Sequence, residues 1–530
     1  MNYLARRELY TPDKLAIVDT GKDPEWRLTY RQLNARANGL ASWLRDAAGV
    51  KKGARVAILA RDGVEHLDCF FACGKLGAIH TALNWRLHPQ ELAGILQNTT
   101  PEVLIYSAEF SPVVSEIERT LRNTHYAIRY YLRITENSEA DLAGVPSSLD
   151  FETIIQASSA SPVTGESLDA EDIAALIFTG GTTGLPKAAQ VSHRMIAWNT
   201  LNTVIHDLTH GDVYVNVFPM FHTGGLFVYT LPQVVFGGTT ILLRQFDPQL
   251  VLELIQREQA TVFAGVPTMY QMLALAPNWD QADLSSLRFC TSGGAPLPVP
   301  LVEQYTREKG VRFKQGFGMT EFGPGIFALA PEDAIRKAGS IGRPNFYVEA
   351  RIVDDSGNFL GPGEEGELVL KGPSYCSGYF NDPESSAAAV DEKGFFHTGD
   401  IARVDAEGYF YIVDRKKDMF ISGGENVYPA EIERVLHRHP AVQMCAVIGV
   451  PDARWGEAGR ACVVLKPGEE TAAEELLDFL SAHLARFKVP KSVVIMESLP
   501  ISAAGKILKR ELKEKFTAQT NRPDQSLETE

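Results

Sequence analysis

Phe178-Thr179-Gly180-Gly181-Thr182-Thr183-Gly184-Leu185-Pro186-Lys187-Ala188 is the stretch on which the reading of this chain turns. It follows Ala174-Ala-Leu-Ile-Phe178, an apolar run that predicts a buried strand. Its glycines let the backbone turn tightly and come close to a ligand, its threonine hydroxyls can donate to phosphate oxygens, and Lys187 adds a cation. Thr179, Gly180, Gly181, Thr182, Thr183, Gly184 and Lys187 are therefore candidates for holding phosphate. No Gly-Lys-Ser/Thr follows at the Walker spacing, which disfavours a P-loop kinase or NTPase.

Outward from this loop the pattern alternates. Tyr30 to Asp46 and Val64 to Leu76 predict helices, and Arg55 to Leu59 and Val103 to Tyr106 predict strands, so layered sheets covered by helices are expected. Glu136 to Asp172, rich in Ser, Ala, Glu and Asp, reads as a surface connection. Pro248 to Gln259 predicts a helix ahead of a strand at Thr261 to Phe263, and Val348 to Val413 breaks into short strands, a β-rich subdomain. The charged run Asp414-Arg415-Lys416-Lys417-Asp418 then separates the strand Tyr409 to Val413 from a glycine loop, Ser422 to Asn426. After it come a helix (Pro429 to His437), strands (Val442 to Val450, Arg460 to Leu465), a helix (Ala472 to Leu484) and a strand (Lys491 to Met496), with the residues after Phe516 polar and frayed. The fold class expected is α/β: a large domain over 1–414, and a small α+β domain over 415–530, about 110 residues in size.

Composition narrows the function. A formal net charge of -15 counts against broad nucleic-acid binding, so an anionic ligand must meet locally arranged donors. The six cysteines are scattered without disulfide or zinc spacing, which fits a reducing compartment and buried packing; Cys69 and Cys73 could share a helical face, but no second Cys/His pair completes a metal site. No apolar run approaches the roughly 18 residues that span a bilayer, and the N-terminus has no apolar h-region. The final Glu528-Thr529-Glu530 is no peroxisomal address, and a cytoplasmic location is expected.

Four further stretches carry chemistry. Phe218-Pro-Met-Phe-His222-Thr-Gly-Gly225 offers one imidazole among apolar neighbours. Thr291-Ser-Gly293-Gly294-Ala295-Pro296 pairs with Gln315-Gly316-Phe317-Gly318-Met319-Thr320-Glu321: small residues admit a flat base, Phe317 offers a stacking face, Thr320 can bond a phosphate, and Glu321 can ligate magnesium through oxygen. Phe396-His-Thr-Gly-Asp400, with Asp414-Arg415 after it, supplies an acceptor-only carboxylate and a guanidinium. Pro500-Ile-Ser-Ala-Ala-Gly-Lys506 ends on a single lysine. Each alone could be an ordinary turn or a solvated charge.

Together, in this order from about Leu28 to Lys509, they resemble the adenylate-forming superfamily of acyl-CoA synthetases, adenylation domains and firefly luciferases. The resemblance implies ATP, Mg2+ and coenzyme A as ligands and a carboxylate:CoA ligase working through an acyl-adenylate. It implies that Lys506 serves adenylation, that Thr320 bonds the α-phosphate and Glu321 the metal, and that His222 gates the acyl and thiol entrances. Asp400 would hold the ribose with Arg415 assisting, and Ile412 would line the nucleotide. Lys417 would be the hinge of a mobile small domain, Gly423 and Gly424 would line the pantetheine tunnel, and Trp455, within Val450 to Glu457, would face the site during thiol transfer. The chain departs from the family pattern at Gly180 (usually serine), Ala188 (usually glycine) and Ala504 (commonly a hydroxyl residue). Such losses remove hydrogen bonds worth about 0.5 to 1.5 kcal/mol each.

Stretches around Trp198, Phe227-Val228, Val266-Pro267 and Gly316 to Met319 are apolar with no cation, so the expected substrate is a hydrophobic monocarboxylic acid, medium-chain aliphatic or aryl. The sequence leaves open a ligase loading a carrier protein, a luciferase-like oxygenase and an inactive nucleotide or acyl-CoA sensor. The expected partners are small molecules, with no nucleic acid and no membrane span, and a homodimer is implied by relatives.

Overall fold

A computed structural model describes residues 2–135, 148–163, 167–179, 186–295, 297–415, 418–422, 425–452, 454–486, 488–502 and 506–520. Gly180, Gly181, Thr182, Thr183, Gly184, Pro296, Lys417, Gly423 and Gly424 lie outside the described residues, as does the side chain of Arg415.

Two large sheets carry the first two-thirds of the chain. One has nine strands in the order Arg343–Pro344, Gly323–Leu329, Phe313–Met319, Phe289–Ser292, Val262–Gly265, Val213–Asn216, Thr239–Leu242, Leu15–Asp19, Trp26–Thr29. Its centre is parallel and its edges antiparallel. The other has seven strands and ends in the antiparallel hairpin of Ile173–Thr179 with Lys187–Ser192. The helix Val64–Leu76 is buried nearly all round because it packs both ways: Val64, Leu67, Phe70 and Phe71 join a core holding Ile17 and Ile177, whereas Cys69, Ala72 and Cys73 join one holding Val56 and Ile105. Burial of each large apolar side chain contributes about 1.5 to 3 kcal/mol, so this helix fixes the sheets against each other. Its polar residues are paired: Asp68 holds Arg36 at 2.7 Å, Glu65 holds Lys22, and Asp19 Oδ2 accepts from Val64 N at 2.9 Å.

A four-stranded antiparallel sheet follows (Glu349–Val353, Glu365–Lys371, Phe396–Val404, Phe410–Arg415), where a β-rich region is expected. The last sheet contains the long hairpin Val442–Asp452 with Gly456–Leu465, flanked by Phe420–Ser422 and Ser492–Ile495. Helices Pro429–Leu436 and Ala473–His483 contribute Ile432, Leu436, Leu476 and Leu480 to its core.

Three expectations are corrected. The stretch 136–172 is more than a surface connection: Phe151–Ala157 is a helix, capped by Asp150 Oδ1 accepting from Thr153 N at 2.8 Å, with Phe151, Ile154 and Ile155 buried. It is too short for its spacing to stand out. The charged run does not begin as a solvated turn, because the strand continues through Arg415 and Asp414 is buried, accepting from Ala430 N at 2.9 Å. The chain does not stop being regular at Phe516: the helix Lys509–Thr520 runs past it, with Leu512 and Phe516 buried against the last sheet, and the residues from 521 on lie outside those described.

Candidate active site

The floor of the site is the paired ends of two parallel strands, Phe289–Ser292 and Phe313–Met319, in the register Ser292 opposite Gln315. Beyond them Gly293, Gly294 and Ala295 turn away, Gly294 with φ +81°, a left-handed value that costs glycine little. The floor is braced from below: the Tyr270 hydroxyl donates to Thr291 O at 2.7 Å, and the hydroxyls of Tyr229 and Thr291 are 2.7 Å apart. Gln315, expected to hold ligand, is engaged at both ends by backbone, donating to Ser340 O (2.8 Å) and accepting from Leu297 N (3.3 Å). The Gln315 side chain thus braces the turn that carries Gly293 and Gly294.

At the rim the hairpin with Gly323–Leu329 carries the remaining floor residues. A Cβ on Gly318 would stand 2.3 Å from Pro324 O, so the two strands meet there as only glycine permits. The Phe317 ring lies edge-on to Phe327 at 5.7 Å and is half-buried, and Met319 packs on the same core. Thr320 is buried at the tip of the hairpin. Glu321, beside it, accepts from the Tyr379 hydroxyl at 3.0 Å on Oε1. Burial, with the Glu321 carboxylate beside it, pushes the Tyr379 phenol far above its ordinary range. The Lys187 ammonium, across from Thr179 in the hairpin that brackets the phosphate loop, stands 5.1 Å over the Tyr379 ring. It donates to Ser385 Oγ at 2.6 Å and lies 3.8 Å from Asp382.

Asp400 is buried on Phe396–Val404, directly across from Arg415, with Ile412 opposite Ala402 further along the hairpin. The turn before Asp400 is fixed by Gly399 N donating to Glu367 Oε1 (3.0 Å) and Asp400 N donating to Thr398 Oγ1 (3.1 Å). Two elements far apart in sequence from the floor are thereby brought to one edge of it.

Lys506 reaches the floor from the last sheet. Its loop is pinched shut by Ser502, whose N–H donates to Lys506 O (2.7 Å) while its Oγ accepts from Lys506 N (3.0 Å). The Lys506 Cε lies 3.3 Å from where a Cβ on Gly294 would stand, and Val266 Cγ1 approaches the same point at 3.4 Å. His222 is the next neighbour: burial, with the Lys506 charge adding to it, lowers the imidazole to about 4. Its Nδ1 accepts from Gly224 N at 3.2 Å, so the neutral ring carries its proton on Nε2. Trp455 is not part of this group. It stands on the turn of the last sheet's long hairpin, 37% exposed, with Arg454 and Lys491 over its ring.

Tyr379, Ser385 and Asp62 belong to the site's surroundings without having been expected there. Asp62 Oδ1 accepts from Met220 N at 2.7 Å, setting the backbone two residues ahead of His222, and burial raises its carboxyl to about 7. The donor set suits magnesium. Glu321 is a half-buried carboxylate with Oε1 on Tyr379, a hard oxygen donor of the kind magnesium takes alongside phosphate oxygens. Among the described residues no helix is long and apolar enough to cross a membrane.

Comparison with known proteins places this geometry. The family model for AMP-binding enzymes matches residues 4–380, and that for the AMP-binding enzyme C-terminal domain matches 431–506. A feruloyl-CoA synthase of Amycolatopsis sp is 41% identical over 512 residues, covering 96% of this chain and 98% of that protein. An indoleacetate–CoA ligase of Aromatoleum aromaticum is 36% identical over 96% of this chain and 98% of its own. Among solved structures, ATP-bound MatB from Rhodopseudomonas palustris superposes with a TM-score of 0.86 at 32% identity, covering 97% of this chain and 99% of that one. The apo form of the same enzyme superposes at 0.77, with 31% identity and 98% and 99% coverage.

Proposed function

The chain belongs to the AMP-binding enzyme family and is an ATP-dependent acid–thiol ligase, and we propose that it activates a hydrophobic, aryl-bearing monocarboxylic acid where Lys506 meets Gly294 and His222. The meeting of that lysine with the strand ends is the observation that carries the reading. Val266 Cγ1 stands 3.4 Å from where a Cβ on Gly294 would be, and with Trp198, Phe227 and Pro267 it would offer the acid an apolar surface with no cation for a second carboxylate. The names of the feruloyl and indoleacetate relatives support an aryl acid over an unbranched chain.

The reaction has two halves. The carboxylate attacks the α-phosphorus of ATP, expelling pyrophosphate and leaving an acyl-adenylate; the CoA thiol then attacks the acyl carbon and expels AMP. In the first half two anions approach each other, and the Lys506 ammonium offsets the charge that grows between them. Thr320 donates to the α-phosphate, Asp400 accepts from the ribose hydroxyls, and Arg415 and Lys187 add positive charge at the nucleotide's two ends. Magnesium, when bound, would neutralise phosphate oxygens, with Glu321 holding it. His222, neutral by burial, sits between the acid and the thiol without adding charge. For the second half, residues 415–530 move as a small domain about Lys417 relative to 1–414, withdrawing Lys506 and bringing Gly423, Gly424 and Trp455 to the thiol path.

AMP release measured over a panel of acids with and without CoA tests the reading. Turnover highest with hydroxycinnamic or arylacetic acids and dependent on CoA supports it. Preferential use of a dicarboxylate, CoA-independent light emission, or acid-dependent pyrophosphate exchange without thioester overturns the substrate or the acceptor.

A further inference from the structure

We propose that Tyr379 is a positioning residue for adenylation, holding the Glu321 carboxylate with its hydroxyl and the Lys187 ammonium with its ring, so that the metal-binding and phosphate-binding charges are presented as one unit. The inference rests on the reading of the site above and deepens it.

The geometry is that of a single ring with two duties. The hydroxyl donates to Glu321 Oε1 at 3.0 Å, taking one carboxylate oxygen and leaving Oε2 for other partners. The Lys187 ammonium stands 5.1 Å from the ring centroid, within the range where an aromatic face attracts a cation, and its own hydrogen bond to Ser385 Oγ (2.6 Å) keeps it there. Asp382, at 3.8 Å, is too far for a strong pair. Lys187 is thus held short of full neutralisation, 44% exposed, beside the loop that would receive phosphate.

The backbone that carries the ring is fixed from several sides. The segment 377–380 runs along Lys187–Ser192 as an extra antiparallel strand: Ser377 N donates to Gln190 O (2.9 Å), Gln190 N to Gly378 O (2.9 Å) and Phe380 N to Ala188 O (2.8 Å). Tyr379 N donates to Ser386 Oγ at 2.8 Å, tying it to the helix Pro383–Ala388. From the other side, Cys376 N donates to Glu321 O at 2.7 Å, so the backbone of Glu321 is fixed to this strand as well as its side chain. The seven-stranded sheet, which carries Lys187, and the nine-stranded sheet, which leads to Glu321, are therefore joined through residues 376–379.

A tyrosine with only a packing role and one with a positioning role give different results. Equilibrium binding of ATP by calorimetry, at a series of magnesium concentrations, separates them. With Tyr379→Phe the expected result is a rise of about tenfold in the magnesium needed for half-maximal ATP affinity, the loss of one hydrogen bond to a charged group, with ATP affinity at saturating magnesium near that of the parent. With Tyr379→Leu, ATP affinity falls at every magnesium concentration because the cation also loses its aromatic face. In both variants the transfer of presynthesised acyl-adenylate to CoA continues at the parent rate. Pyrophosphate exchange in the parent reports the adenylation reading separately, so its absence there condemns that reading and not this one. Identical magnesium titrations for parent and Tyr379→Phe overturn the proposal, and so does an equal loss in both variants that tracks a lowered melting temperature.

Discussion

The two sides of the site are held in different ways. On the floor, Thr291 and Gln315 lie on central strands of the nine-stranded sheet, and buried partners fix them: Tyr270, Tyr229, Ser340 and the Leu297 turn. On the lysine side, Lys506 sits in a short loop closed by Ser502, and the contacts of the last sheet and its helices with the main body include Ala430 N to Asp414 and Gln271 Nε2 to Gln443 O. Hydrogen bonds inside the protein hold Thr291 and Gln315 in place on the floor. In the proposed reaction the lysine side is the part that undocks between the two halves. The difference teaches that changes on the floor should register as stability, and changes on the lysine side as rate.

Lys506→Ala is the sharpest way to break that contrast. Adenylation, followed by pyrophosphate exchange, is expected to lose about 2.7 to 4 kcal/mol of transition-state stabilisation, while transfer from presynthesised acyl-adenylate and the melting temperature stay near the parent's. Equal loss of both half-reactions would show that the lysine holds structure and does not serve one step.

Lys509 tests the anchoring of the same loop. It pairs with Glu433 at 2.8 Å where the helix Lys509–Thr520 begins, three residues past Lys506, and Glu433 also accepts from Val447 N at 2.7 Å. Removing one partner of a well-buried pair costs about 3 to 5 kcal/mol. Here the two side chains keep 19% and 17% of their surface exposed, so Lys509→Met is expected to cost about 2 kcal/mol, discounted for water. Hydrogen exchange should rise in residues 425–520 and leave the strand Phe289–Ser292 protected; uniform loss of protection would mean the last sheet does not unfold apart from the body.

How far the sequence foretold this depends on the distance over which each signal acts. Helices Tyr30–Asp46 and Val64–Leu76 and the strand Arg55–Leu59 are legible to the residue, because periodicity is local and their burial follows it. Asp400 and Lys506 are legible as chemistry, since short motifs name them. Tyr379 is not: its meaning lies in Glu321 and Lys187, 58 and 192 positions away, and no motif of the sequence singles it out. The bracing bonds of the Gln315 side chain are hidden for a similar reason, since they go to Ser340 O and Leu297 N, 25 and 18 positions away. Phe151–Ala157 escapes because seven residues give too few turns for a period.

Tyr270→Phe probes the floor. The hydroxyl is buried and donates to Thr291 O, while its own carbonyl accepts from the Tyr305 hydroxyl at 2.7 Å. Losing it leaves a buried carbonyl without that donor, a cost of about 1 to 2 kcal/mol in chemical denaturation. Both half-reactions should slow little and together. A selective loss of adenylation would place the floor's flexibility within the chemistry and erase the contrast.

The smallest expected effect is also the most direct reading of whether the lysine is docked. Burial is the larger cause of the low His222 value and the Lys506 charge the smaller. Because the folded imidazole sits at about 4 and an unfolded one near 6.5, the folded protein binds fewer protons between those values. The stabilisation from keeping His222 neutral is therefore complete above about 6.5 and is lost as pH falls toward 4. In selectively labelled protein, the His222 ring resonance should titrate near 4 in the parent and somewhat higher in Lys506→Ala, where only burial remains. Ligands that drive the enzyme into its thiol-transfer state should move the resonance the same way in the parent and not in the variant. A ring that titrates alike in both proteins would mean that Lys506 does not dwell beside His222 in solution, and the lysine side would then be looser still than the floor it serves.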